Sequence, residues 1–482
     1  MGGELKDKVA RGVAWSLGEK VGTTLLQLGV RLLLLRLLTR EDFGNMALLT
    51  AISAVALVVA DSGFSQTLIR KKEPTPSDFK SVFGLNLALS LLLYLLLVVT
   101  APWVAEFFHA PLLLEVAPVF YLLLPLNSLC VIQQTLLTRQ FRFALLSKIT
   151  FFASMLSGVI AVAMVFAGYG FWSLVAERVL MFLFRAVALW WFGGWRPSGA
   201  FEGKALREMA PFSCSLMATD LISTFYNKIP QFFLGRLYPA STLGSFDQAV
   251  KLKDQPITSL MQAVQSVTYP ALTQICDKDQ KFAESYRQVV MVVAYALFPV
   301  MLGLSAIAPD MFAVLLGAEW MQTVPYFEVV CLAGLFSPIA MIAYNILKVK
   351  SEGGLIVRLE VAKKGVMTLI FALTIPWSVQ AVIWGLVAIA FAELLINFWA
   401  TTRFTRYSFG GLLRTLLPIT LLSLAMYGAV YGTRCLLPDW GLWRLLVEIG
   451  VGAVAYLLLS WLFRLEAFGV VIGLIKKSVS NR

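Results

Sequence analysis

The sequence predicts an all-α, polytopic membrane protein of about fourteen transmembrane helices, and three observations predict it. Apolar runs of about 20 residues, the length that crosses a bilayer, recur from one end of the 482 residues to the other. Charged residues make up 14% of the chain against roughly a quarter in soluble domains, while 59% is hydrophobic. The connections between the runs are short and alternate in charge, as loops on opposite sides of a membrane do.

Taken in order, the first six runs cover 13–37, 44–63, 81–105, 112–137, 147–167 and 170–192. The next six cover 211–236, 244–270, 288–308, 323–347, 361–377 and 381–402, and the last two 412–434 and 441–463. One set of connections is basic: "RKKEPTPSDFK", "RQFRFALLSK", "WRPSGAFEGKALRE", "DKDQKFAESYR", "KVKSEGGLIVRLEVAKK" and "TTRFTRYSFGGLLR". The other set is small or acidic: "TREDFG", "HAPLLLE", "GYGF", "YPASTLG", "GAEWMQT", "PWSVQ" and "CLLPDWGLW". Basic loops stay on the cytoplasmic side, so both termini are expected in the cytoplasm, as an even number of spans requires. The polar N-terminus "MGGELKDKVARG" lacks a cleavable apolar region and is expected to be retained. The tail "FGVVIGLIKK" is too short to cross and is expected to lie in the interface. The formal charge of +12 follows from this loop asymmetry and does not call for nucleic acid.

An internal repeat divides the chain. Residues 35–44, "LRLLTREDFG", lie over 235–244, "GRLYPASTLG", matching Arg36 with Arg236, Leu37 with Leu237 and Gly44 with Gly244. Further on, "WSLV" at 172–175 answers "WGLV" at 384–387. The expected organisation is a six-helix bundle at 1–200, a second at 201–406, and two additional helices with a short interfacial helix at 407–482. Repeated halves flanking a cavity are a transporter architecture.

Three runs carry polar stripes. Lys20, Thr24, Gln27 and Arg31 fall within about 60° of one another on a helix. Their repeat partners are Asp220, Thr224, Asn227 and Gln231, and Asp247, Lys251, Asp254, Thr258, Gln262 and Gln265 share about 80° of the eighth span. Lipid does not tolerate such faces, so they pair with one another or line a water-filled cavity. Lys20, Arg31, Lys251 and Lys253 are the candidate ligands for an anionic, phosphate-bearing substrate. Gln27, Asn227, Gln231 and Gln262 are candidate polar lining. Asp220, Asp247 and Asp254 are candidates to pair with the cations or to carry a coupling proton or sodium ion. Arg36 lies about 160° from Lys20 and near the outer end, where a long side chain snorkels to headgroup phosphate. Pro230 removes a backbone hydrogen bond and marks a hinge or a static kink in the seventh span.

Nothing points to catalysis. The single histidine, His109, has no metal-ligand or nucleophile cluster beside it. No Gly-rich phosphate loop or GxSxG occurs, and the "DKD" at 277–279 reads as solvated charge. The five cysteines, at 130, 214, 276, 331 and 435, stand singly as apolar filler. No cofactor or metal is called for. A membrane enzyme of glycan assembly would need a sizeable external loop, and the external loops here are a few residues long.

The segments "LLRLLTREDFGNMALLTAI", "DSGFSQTLIRKKEPTPSDFKSVFGLN", "IQQTLLTRQFRFALLSKIT", "YNKIPQFFLGRLYPASTLGSFDQA", "QSVTYPALTQ" and "GAEWMQTVPYF" resemble the polysaccharide-transporter branch of the multidrug/oligosaccharidyl-lipid/polysaccharide (MOP) exporter superfamily. The similarity spans residues 8–405 and is greatest to Wzx-type flippases of colanic-acid and exopolysaccharide type. The resemblance implies a V-shaped MOP fold and alternating access. It implies an undecaprenyl-pyrophosphate-linked oligosaccharide as cargo, with Lys20, Arg31 and Lys251 suited to the pyrophosphate. Membrane lipids, H+ or Na+, and polysaccharide polymerase machinery are the implied partners, and nothing demands more than a monomer. A multidrug/cation antiporter of the same superfamily and a peptidoglycan-precursor flippase are the alternatives. The antiporter would favour an acidic cavity with aromatic cation contacts.

Overall fold

The computed structural model describes residues 27–274, 279–350, 353–471 and 473, and those residues form helices and connections with no strand. The first half of the helices comprises α1 (27–37), α2 (Arg40–Asp61), α3 (Phe64–Arg70), α4 (Pro76–Phe107), α5 (Leu112–Phe120), α6 (Leu123–Arg139), α7 (Phe143–Phe166), α8 (Trp172–Phe192) and α9 (Gly203–Leu237). There follow α10 (Ala240–Gln274), α11 (Asp279–Ala306), α12 (Ala308–Met311), α13 (Val324–Lys350), α14 (Gly353–Thr374), α15 (Val379–Thr401), α16 (Phe409–Leu436) and α17 (Leu442–Leu462).

A helix stands at each predicted span. Among the described residues, nine helical stretches are long and apolar enough to cross a membrane. The predicted spans outside that group are α1, described only from residue 27, and α8, α9, α10 and α14, which carry charges within the helix. Their polarity is the first structural sign of a functional interior. Two boundaries differ from expectation. The fourth span is two helices, α5 and α6, with turn residues Tyr121 and Leu122 between them. Most of the basic segment 348–364, expected as a loop, is helical, because α14 begins at Gly353. The expected interfacial tail is described only to residue 473, with a short helix at 466–471.

Helix starts follow local chemistry. Thr39 and Thr75 each form a capping box, with Asp42 and Asp78 respectively, and Pro76 opens α4. Asp78 is buried and receives Lys71 Nζ at 2.6 Å, so the basic loop after α3 is tied to the base of α4. Arg139 closes the same loop by donating to the carbonyls of Ile69 and Lys71 at 3.0 and 2.7 Å. On α4, Leu91, Leu92, Leu95, Leu96 and Val99 are exposed together, and Trp443 and Trp461 stand exposed at the two ends of α17. These are the lipid face and the interfacial aromatics of a membrane bundle.

The chain packs as two compact units, Met1–Gly244 and Ser245–Arg482. In the first, α2 packs on α9, α4 on α6, and α7 on α8, around a core that includes Phe64, Phe79, Ile132 and Met209. The repeat is visible inside this unit. A Cβ on Gly44 would run into the Ala240 carbonyl, and a Cβ on Gly244 into the carbonyl of Arg40, the repeat partner of Ala240. The two glycines thus meet reciprocally, which only residues without a side chain permit. In the second unit, α13 lies between α11 and α15, and α16 packs on α11 and α17. Its core is built on Tyr286, Phe298, Met301 and Phe398.

Candidate functional site

In the first unit the polar stripe of α1 is described from Gln27 onward, and Lys20 and Thr24 lie outside the described residues. Gln27 donates from Nε2 to Ser154 Oγ on α7 at 2.9 Å, so this member of the stripe joins two helices. Arg31, one turn along the same face, is half-buried, whereas Arg36 is exposed. Its repeat partner Arg236 is exposed as well, with Nη1 2.7 Å from His109 Nδ1 and the guanidinium 5.1 Å from the Phe107 ring centroid. The lone histidine therefore belongs to a contact at the C-terminal end of α9.

Helix α9 keeps its polar residues accessible. Asp220 and Asn227 are exposed, Thr224 is half-buried, and Gln231 is buried with no hydrogen-bond partner for Oε1. The helix continues through Pro211 and Pro230 without a break. Asp220 lines a cavity of about 400 Å³ together with Asp61 at the end of α2. Asn127, Gln134 and Thr138 of α6 add polar groups to a wall that Leu57, Val58, Ile69, Val131 and Met217 otherwise make apolar. The two carboxylates lie within electrostatic reach of each other, and Ser65 Oγ donates to Asp61 at 2.8 and 2.7 Å. Two acids from separate helices facing one open space suit a proton or a small cation. Sequence reasoning reached Asp220 and missed Asp61. The available signal was an acid at the end of an otherwise apolar run, with Ser65 four residues on.

In the second unit the charges of α10 are matched along the helix. Lys251 Nζ is 2.6 Å from the buried Asp247, one turn away. Lys253 is buried and pairs with Asp254 at 2.5 Å, and Thr258 Oγ1 donates to the Asp254 carbonyl at 2.9 Å. Gln262 is exposed. The structure thus brings together Asp247 with Lys251 and Lys253 with Asp254, leaving α10 charge-balanced over this stretch.

A second charged cluster, missed in the sequence, spans α13, α14 and α15. Lys363 is buried, sits 2.5 Å from Glu360 and 4.5 Å from the Tyr344 ring centroid, and Lys348 approaches the same ring at 4.6 Å. Glu393 of α15 lies within electrostatic reach of Lys363 and Lys364. One aromatic ring thus meets two ammonium groups, Lys363 buried and matched by Glu360, and Lys348 exposed. Glu177 and Arg178 pair with each other at 3.5 Å.

Known proteins with this sequence pattern fall in one group. The family described as polysaccharide biosynthesis protein matches residues 33–325. Teichuronic acid biosynthesis protein TuaB of Bacillus subtilis (strain 168) is 23% identical over 465 residues, covering 94% of this chain and 95% of that protein. Succinoglycan biosynthesis transport protein ExoT of Rhizobium meliloti (strain 1021) is 26% identical over 331 residues, 68% of this chain and 67% of its own. Lipopolysaccharide biosynthesis protein WzxC of Escherichia coli (strain K12) is 24% identical over 364 residues, 72% and 71% of the two chains. Among solved structures, the lipid II flippase MurJ in an inward closed conformation superposes with a TM-score of 0.76 at 14% identity, covering 93% of this chain and 98% of that one. An inward-facing multidrug resistance MATE family transporter of the MOP superfamily gives 0.61 at 16% identity, covering 79% and 94%. At such identities these two show a shared fold.

Proposed function

This chain belongs to the polysaccharide biosynthesis protein family, and from that premise we propose that it is a flippase for lipid-linked oligosaccharide precursors. It moves undecaprenyl-pyrophosphate-linked repeat units from the cytoplasmic to the periplasmic leaflet of a bacterial inner membrane by alternating access. The observation that carries the reading is the polarity of α9 and α10. Each is 35 residues long, neither is among the apolar spans, and Asp220, Asn227 and Gln262 on them are exposed. In a bilayer such faces belong to a water-filled path.

Arg31 and Lys251, with Lys20 and Lys253, are the proposed partners of the pyrophosphate, and Lys363 with Lys348 joins them. The lysine pairs of α10 give the path its off state: Asp247 and Asp254 neutralise Lys251 and Lys253 until a more highly charged anion displaces the carboxylates. With Asp247 and Asp254 so occupied, ion coupling falls in this reading to the Asp61–Asp220 cavity, where among the described residues no lysine or arginine lines the wall. The relatives TuaB, ExoT and WzxC bear names from three different surface polysaccharides, which supports the glycan class and leaves the individual sugar to the cavity's own chemistry.

The cellular test is the sidedness of the precursor. Cells lacking the protein are expected to accumulate the pyrophosphate-linked oligosaccharide on the cytoplasmic leaflet, inaccessible to a glycosidase added to spheroplasts. Normal exposure of the precursor in those cells would refute the proposal.

A further inference from the structure

The basic segment "TTRFTRYSFGGLLR" does more than set topology. In the second unit its residues form one wall of a cavity of about 450 Å³, completed by Arg287 of α11 and Glu466 beyond α17. Among the described residues, three guanidinium groups, Arg287, Arg406 and Arg414, line this space against one carboxylate, Glu466, which is engaged by Arg287. Helix α16 begins in the same wall. Its first turn holds no acid and contains Gly410 and Gly411, and a Cβ on Gly410 would meet only Ser408 Oγ, at 3.9 Å. Of the two only Gly411 lines the cavity, where a Cβ would crowd the Tyr407 ring at 3.0 Å, and a 28-residue helix begins there with its positive end.

The floor is fixed. Tyr407 donates from its hydroxyl to Thr415 Oγ1 at 2.9 Å, and Thr415 donates on to the Gly411 carbonyl at 2.9 Å. Burial pushes the Tyr407 phenol up, so it stays a neutral donor. Ser408 Oγ accepts from the Gly411 amide at 3.2 Å, which leaves its hydroxyl proton to donate into the cavity. Beside this pocket, Leu413, Leu417 and Leu421 are exposed at successive turns of α16, an apolar track that runs from about 100° to about 20° round the helix from Arg414. A polar anion site at the basic face of the membrane, opening beside an apolar track of acyl-chain character, matches one kind of molecule.

We propose that this cavity binds the phosphate headgroup of an anionic phospholipid, with its acyl chains along Leu413, Leu417 and Leu421. Arg406 and Arg414 clamp the phosphate, Ser408 and the first turn of α16 donate to it, and Arg287 exchanges Glu466 for it. The site is separate from the residues assigned to the cargo. It anchors the first of the two helices that lie outside the repeated halves to the cytoplasmic leaflet.

The test is native mass spectrometry of the full-length protein titrated in separate arms with phosphatidylglycerol, phosphatidylcholine and inorganic phosphate. Wild type should retain phosphatidylglycerol and shed phosphatidylcholine. The double variant Arg406→Gln/Arg414→Gln should bind phosphatidylglycerol about tenfold more weakly, the loss expected for charge-assisted bonds to one phosphate. Glu466→Gln should bind it more tightly, and Arg196→Gln, a basic residue elsewhere, should leave it unchanged. If the double variant does not fold, the gain in Glu466→Gln decides. Equal retention of both lipids, full retention by the double variant, or no gain in Glu466→Gln would overturn the site. Binding of inorganic phosphate without retention of phosphatidylglycerol would overturn the lipid assignment.

Discussion

Replacing Gly44 or Gly244 with alanine probes the crossing on which the repeat converges. A Cβ at position 44 would press into the Ala240 carbonyl and stand 3.0 Å from the Ala240 Cα. A Cβ at 244 would press into the Arg40 carbonyl and stand 2.9 Å from the Gly44 amide nitrogen. Every obstacle is backbone, so no rotamer change relieves the overlap and the two segments must separate. Overpacking of this kind costs about 1–3 kcal/mol, and a backbone obstacle puts each variant toward the upper end. Since either alanine opens the same crossing, the double variant should lose less than the sum of the singles. Gly450 is the control: it is exposed on α17 with nothing near its would-be Cβ, so alanine there should be neutral or stabilise by up to about 1 kcal/mol. Thermal melting followed by size exclusion of the detergent-purified protein reads all four. A melting temperature for Gly44→Ala equal to that of Gly450→Ala would refute the reciprocal packing.

Three further outcomes are expected. Arg31→Ala should abolish precursor transport at normal expression while Arg36→Ala, at an exposed outer-end position, retains most of it; equal damage would dissolve the distinction between path and anchor. Arg444→Met should destabilise the protein by up to about 3 kcal/mol, because Asp310, with a side chain 6% exposed, loses the nearer of its two arginine partners and keeps only Arg434, at 3.8 Å; unchanged melting would show the Arg444 pair to be dispensable. In single-cysteine variants, a membrane-impermeant maleimide should label exposed Cys435 in spheroplasts and exposed Cys214 only after permeabilisation. The reverse pattern would invert the topology.

The fold was legible where one-dimensional signals suffice. Apolar length located the helices, and Gly44 with Gly244 exposed the repeat because close backbone approach leaves only glycine. Arg31 is half-buried and Arg36 exposed, and transport by the two alanine variants is what separates path from anchor. The site was legible in part, for physical reasons. Asp247 and Lys251, four apart, were legible as a pair, and their 2.6 Å contact sets the carboxylate against the lysine proposed for cargo. Asp61 was hidden because a single acid at a helix end looks like an ordinary terminus until Asp220 of α9 is seen across the same cavity. Lys363 was hidden because its basic neighbourhood reads as a loop, and only the helical start at Gly353 carries it up to the Tyr344 ring. The turn at Tyr121 that divides the fourth span lies between Pro118 and Pro125, yet α9 runs unbroken through Pro211 and Pro230, so proline alone does not locate a break.

The flippase proposal is tested most directly by translocation of a fluorescent undecaprenyl-pyrophosphate oligosaccharide in liposomes containing the purified protein, with and without an imposed pH or sodium gradient. Translocation that a gradient accelerates, that Arg31→Ala abolishes and that Asp61→Asn or Asp220→Asn uncouples from the gradient is the predicted result. Gradient-driven movement of organic cations, with no translocation of any pyrophosphate-linked glycan, would contradict it.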